Sequence, residues 1–112
     1  MSSTTIDPAI FAELRDTAGA DFVSELVATF ADEEAPQMLA ELRAAQAAAS
    51  ADAFRRAAHS LKSNSNTFGA LRLGEMARKL ELGGLIADSA PLDALQAEYA
   101  RVAAALKDLT RG

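Results

Sequence analysis

The chain has 112 residues, half of them apolar, a formal net charge of −5 and no cysteine. This is enough apolar material for one compact domain over residues 1–112 with its own core, and it excludes a disulfide scaffold, a thiolate zinc site and a catalytic thiol. The acidic balance and a pI near 4.7 argue against nucleic acid as a partner, since phosphate recognition rests on clustered lysine and arginine.

Asp7-Pro8 opens a first, short helix: a side-chain acceptor precedes a proline whose missing N–H is harmless in the first turn. Ile10, Phe11 and Leu14 mark its apolar face, and Gly19 closes it. Asp21 is then placed to cap a second helix, on which Phe22, Val23, Leu26, Val27 and Phe30 recur at helical spacing. The pattern runs on through Met38, Leu39 and Leu42 to Ala49. Pro36 interrupts it and crowds the carbonyl of Asp32, so the expectation is either a kinked long helix or two helices meeting there.

Ser50 or Asp52 caps the next helix, whose apolar positions Phe54, Ala57, Ala58, Leu61 and Phe68 lead to Gly69, a structural break. Leu73, Met76, Ala77 and Leu80 define another, ended by Gly83-Gly84. Pro91 opens the last, with Leu92, Leu95, Tyr99, Val102, Leu106 and Leu109 on one side. Met76 and Tyr99 lie on apolar stripes and are read as core. Short connections favour antiparallel neighbours, so the fold expected is all-α, an up-and-down antiparallel four-helix bundle with an additional short N-terminal helix.

Met1 to Asp7 carry neither the basic start nor the apolar stretch of a signal peptide, and no segment approaches the roughly 20 apolar residues that span a bilayer. A cytoplasmic protein without a membrane partner is expected. Carboxylates such as Asp32, Glu33, Glu34 and Glu41 read as a solvated surface.

His59 is the only histidine. On a wheel of about 100° per residue with Phe54 at zero, Ala58, Leu61, Ser65 and Phe68 fall within about 40° of zero and form the core face. His59 falls near ~140°, between Lys62 near ~80°, Arg55 near ~100°, Asn66 near ~120° and Ser63 near ~180°, and so points outward. An exposed imidazole in its neutral form is a nucleophile for phosphoryl transfer. Lys62 and Arg55, each one turn away, disfavour the imidazolium and offset the charge of a phosphorylated product. Ser63 and Asn66 are short, which lets a bulky partner approach the ring. The competing view of Ser63 to Asn66 is a loop, because such residues favour turns, but Phe54, Leu61 and Phe68 hold one period across the run.

The segment containing His59, Leu61, Lys62, Gly69 and Ala70 resembles the signature of histidine-containing phosphotransfer (HPt) domains, roughly H-x-L-K-G-x-x-x-x-x-G-A. The wider order is also similar: an early short helix, the Phe22 to Phe30 segment, Asp52 before the histidine helix, Leu80-Glu81 after it and a final amphipathic helix. The resemblance implies a bundle in which His59 accepts a phosphoryl group from an aspartyl phosphate on one receiver domain and passes it to the aspartate of another. The receivers would be those of response regulators and of a hybrid sensor histidine kinase, and Lys62 would take the family's phosphate-adjacent role. Ser63 departs from the pattern, which usually has glycine there for close approach of the receiver, so slower or more selective transfer is expected.

No Gly-x-x-x-x-Gly-Lys or Gly-x-Gly-x-x-Gly motif is present, so autonomous kinase activity is not expected. No cofactor of its own is expected either; magnesium would belong to the receiver. Bundle di-metal sites use Glu-x-x-His pairs, yet position 56 is arginine and no second histidine exists, so a metal site is not expected. The wheel also puts cations, and no carboxylate for acid–base catalysis, beside the ring. The alternative function is a phosphate-independent helical adaptor in which His59 is incidental. A monomer fits a bundle of this size.

Overall fold

The computed structural model describes residues 5–111; the leader expectation falls largely on positions 1–4, outside them. Helices α1 (Pro8–Ala18), α2 (Ala20–Thr29), α3 (Ala35–Ala48), α4 (Ala51–Thr67), α5 (Leu71–Gly83) and α6 (Ala90–Thr110) account for the fold, and no strand occurs among the described residues. A π-helical turn, Phe30–Glu34, joins α2 to α3 without leaving helical backbone angles, so Ala20 to Ala48 form one rod. The long rod, α4, α5 and α6 make the expected antiparallel bundle, with α1 packed on α2 and α4.

The ends of the helices follow from local chemistry. Asp7 accepts hydrogen bonds from the N–H groups of Ala9 and Ile10 (2.9 and 3.2 Å), capping α1. Gly19, at φ +93°, closes α1 and also precedes α2, so the expected capping role of Asp21 is corrected: it lies in the first turn of α2, where its charge meets the positive end of the helix. Ser50 rather than Asp52 caps α4, accepting from Ala53 N–H at 3.3 Å. Gly69 adopts φ +84°, and a Cβ there would meet the Asp7 carbonyl at 3.0 Å. Its own carbonyl accepts from Asp7 N–H at 2.9 Å, tying the corner between α4 and α5 to the start of α1.

Two residues expected on apolar stripes are exposed. Phe22 is 54% exposed, because the buried stripe of α2 centres on Val23, Val27 and Phe30, with Leu26 at its edge and Phe22 further round. Leu109 is 42% exposed, at the edge of its stripe in the last turn of α6. Met76 and Tyr99 are half-buried and pack against the core. Glu98, by contrast, is buried on α6 and is neutralised by Arg101 at 2.7 Å and by Arg72 of α5 at 3.5 Å. Asp32, Glu33, Glu34 and Glu41 are all exposed, as expected, and Asp32 pairs with Lys107 of α6 at 2.6 Å.

The π turn resolves the Pro36 question in favour of continuity. Ala35 N–H bonds to the carbonyl of Phe30, five residues back, rather than to that of Ala31. The next nitrogen in the ladder belongs to Pro36 and has no hydrogen, which leaves the buried Ala31 carbonyl without a helical donor. The Tyr99 hydroxyl of α6 donates to it. Burial and the nearby Asp32 carboxylate both push the Tyr99 phenol above its ordinary value, so it stays a donor. Replacing Tyr99 by phenylalanine should orphan that carbonyl and lower stability by about 1–2 kcal/mol, read as an earlier urea or thermal midpoint.

Candidate functional site

α4 lies between α3 and α5, and its remaining face is open to solvent. The polar run Ser63 to Asn66 stays helical, as the periodicity indicates. Asn64 Nδ2 donates to the Ser60 carbonyl (2.9 Å) and Thr67 Oγ1 to the Ser63 carbonyl (3.0 Å), four residues back in each case, so these groups are satisfied without breaking the helix. Core positions Phe54, Ala58, Leu61 and Ser65 are fully buried and orient the rod, turning His59 outward with its side chain 55% exposed.

The ring has a partner that one helix cannot reveal. Glu81, on α5, places Oε2 2.7 Å from His59 Nδ1 and Oε1 2.8 Å from Lys62 Nζ. One carboxylate, itself only 13% exposed, thus bridges the imidazole and the ammonium. The Lys62 ammonium first, and the His59 hydrogen bond second, hold the Glu81 carboxyl below its ordinary value, outweighing the opposite pull of burial. An ionised carboxylate can only accept, so Nδ1 is the donor, and in the neutral ring the lone pair is then on Nε2. Among the described residues Nε2 has no hydrogen-bond partner.

Each of the two cations expected at the ring has a carboxylate partner of its own. Lys62 is beside it but engages Glu81; Arg55 donates to Asp52 Oδ1 at 2.9 Å, and Arg56 reaches Asp52 Oδ2 at 3.1 Å. Their partner was a cap candidate in the sequence; freed from that role, Asp52 gathers the two guanidinium groups, which lower its carboxyl, the hydrogen bond from Arg55 first. The expectation that no carboxylate stands near His59 is corrected, since Glu81 comes from another helix. The dipeptide Leu80-Glu81 was visible as part of the resemblance, but nothing in its spacing from His59 indicated contact across two helices.

Ser63 and Asn66 are both exposed, one and two turns beyond the ring. Asn66 leans against α5 at Gly74, where an added Cβ would stand 2.1 Å from Asn66 Oδ1. A groove of about 570 Å³ between α3 and α4 is walled by alanines together with Glu41, Arg56 and Ser60, and His59 is not among its walls. The imidazole stands on a convex surface, suited to contact with a macromolecule rather than to enclosing a small substrate. Among the described residues no group of three or more histidine, aspartate or glutamate side chains is placed to hold a metal ion, and no helix is long and apolar enough to cross a membrane.

Comparison with known proteins agrees with this geometry. The family model of the Hpt domain matches residues 25–105. The crystal structure of histidine-containing phosphotransfer protein B from Pseudomonas aeruginosa PAO1 superposes with a TM-score of 0.83 at 26% sequence identity, covering 98% of this chain and 97% of that one. No curated protein matches significantly by sequence.

The depressed Glu81 carboxyl has a consequence for stability. A group whose folded value lies below its unfolded one stabilises the fold above the unfolded value, here about 4.5, and loses that contribution as pH falls through the folded value. The stability advantage of wild type over Glu81→Gln should shrink as pH falls below about 4.5, as measured by urea unfolding across that range.

Proposed function

The chain belongs to the Hpt domain family and is a histidine phosphotransfer protein of a phosphorelay, and from that premise we propose that His59 is its phosphoryl acceptor. The observation that carries this assignment is the hydrogen bond from Nδ1 to Glu81, which in the neutral form of this exposed ring puts the lone pair on Nε2. In the reaction, Nε2 attacks the phosphorus of an aspartyl phosphate on one receiver domain, and the group later leaves for the aspartate of another. Phosphoryl transfer of this kind is catalysed chiefly by positioning and electrostatics. Lys62, anchored by Glu81 one turn from His59, supplies a fixed positive charge where the phosphoryl oxygens arrive. Arg55 is the second cation; its side chain is 54% exposed, and its exposed pairing with Asp52 can be exchanged for phosphate at little penalty.

Hpt domains work with receiver domains, and the docking strip proposed here is the short-chain surface of Ser63 and Asn66. Donor and acceptor are the receivers of a hybrid sensor histidine kinase and of response regulators. The family acts as a phosphocarrier; the further reading is that this chain, one domain over residues 1–112, has no kinase activity and no cofactor of its own, with magnesium held by the receiver. A cytoplasmic monomer is the form proposed. The family match favours this relay over the phosphate-independent adaptor.

Incubation with a receiver carrying radiolabelled aspartyl phosphate should label the wild type and leave His59→Gln unlabelled with its helical circular dichroism intact; label on the variant would refute the assignment. Ser63→Gly should speed transfer several-fold in stopped-flow or quench measurements, because removing the hydroxymethyl group opens the approach to Nε2. An unchanged or slower rate would show that Ser63 does not limit docking.

A further inference from the structure

We propose that the Ser63 hydroxyl donates a hydrogen bond to the phosphoryl group on His59 and lengthens the life of the phosphohistidine. The inference rests on His59 being the acceptor and adds a contact made only in the phosphorylated state. Its starting point is the direction of the ring. Nδ1 lies 2.7 Å from Glu81 Oε2 on α5, so Nε2 is turned away from α5 and into solvent. Ser63 is one turn beyond His59 and about 40° further round α4 on that side, with about 5–6 Å between the two Cβ atoms. Side chains on a helix lean towards its N-terminus, which carries the Ser63 hydroxyl back over the turn that bears the ring. A group on Nε2 extends into the same space.

The hydroxyl is also unspent. On the same helix Asn64 donates to the Ser60 carbonyl (2.9 Å) and Thr67 to the Ser63 carbonyl (3.0 Å), each four residues back. Among the described residues Ser63 makes no such bond to the His59 carbonyl, and its side chain is exposed. The neighbouring polar groups are turned elsewhere: Asn66 rests on α5 at Gly74, and Ser60 lines the groove towards α3. Lys62, held on Glu81 at 2.8 Å, meets the phosphoryl oxygens from the α5 side, and Ser63 meets them from the opposite one.

The chemistry of the bond gives this contact a kinetic effect. In hydrolysis the N–P bond breaks and its electron pair returns to Nε2, while a water oxygen bonds to phosphorus and both water protons stay with the phosphate released. The transition state is loose and metaphosphate-like, so negative charge on the phosphoryl oxygens falls as the N–P bond opens. A donor on those oxygens therefore holds the phosphohistidine more tightly than the transition state, and the barrier rises. Donation to a receiver releases the same contact.

Ser63→Ala separates the hydrogen bond from the bulk of the residue, because it removes the hydroxyl and keeps Cβ. At an exposed helical position alanine costs the fold nothing. The full chain and its variants are phosphorylated with phosphoramidate, the donor is removed, and the phosphohistidine signal is followed by ³¹P NMR at neutral pH. Decay should be about three to ten times faster in Ser63→Ala than in wild type. Ser63→Thr, which keeps a hydroxyl, should restore slow decay. Coincident decays of wild type and Ser63→Ala would overturn the proposal, as would a Ser63→Thr decay that follows the alanine variant. A wild type that takes up no phosphoryl group, or a His59→Gln variant that does, would overturn the acceptor assignment instead.

Discussion

One carboxylate shared between an imidazole and an ammonium organises the surface of this bundle. Glu81 fixes the tautomer of His59, anchors Lys62 beside it and is itself held ionised by the same two contacts, Lys62 more than His59. Such a three-way arrangement is possible only because the partners are presented by two rigid helices at close range. The side chains of His59 and Lys62 are one turn apart on α4, and Glu81 reaches across from α5. Neither helix contains the site by itself.

The closeness of α4 and α5 has identifiable causes. Gly74 offers no side chain at the point where Asn66 rests on α5, and Gly69 takes the left-handed conformation that lets the chain turn back directly after Thr67. The same glycine receives the start of α1 through the hydrogen bond from Asp7, so the short leading helix is locked to the corner beyond the site. Buried side chains from Ile6 to Leu106 then form one apolar cluster behind α4, and this keeps the histidine strip facing outward.

The far side of the bundle solves a different problem. A proline in the middle of a long rod removes a donor, and the chain answers with one wider turn and a tyrosine hydroxyl supplied from α6. Lys107 and Asp32 add an ion pair between the same two elements. The rod therefore passes Pro36 unbroken, with its α3 segment packed on α4, while the remaining face of α4 stays open to solvent.

Much of this was legible in the sequence because it depends on neighbours in the chain. Helical period, the Asp7-Pro8 cap, the breaks at Gly19 and Gly69 and the outward direction of His59 all follow from residues within a turn or two of one another, and the signature around His59 pointed to the family. The sequence did not contain the distances between helices. That Asp52 would gather Arg55 and Arg56 rather than cap α4, that Phe22 would lie beyond the buried stripe, and that Tyr99 would serve the π turn were settled by packing. Glu81 lies 22 residues from His59 along the chain, and only the crossing of α4 over α5 brings its carboxylate to 2.7 Å from the ring. Local periodicity fixes the direction in which a side chain points; what it meets there depends on how whole helices pack.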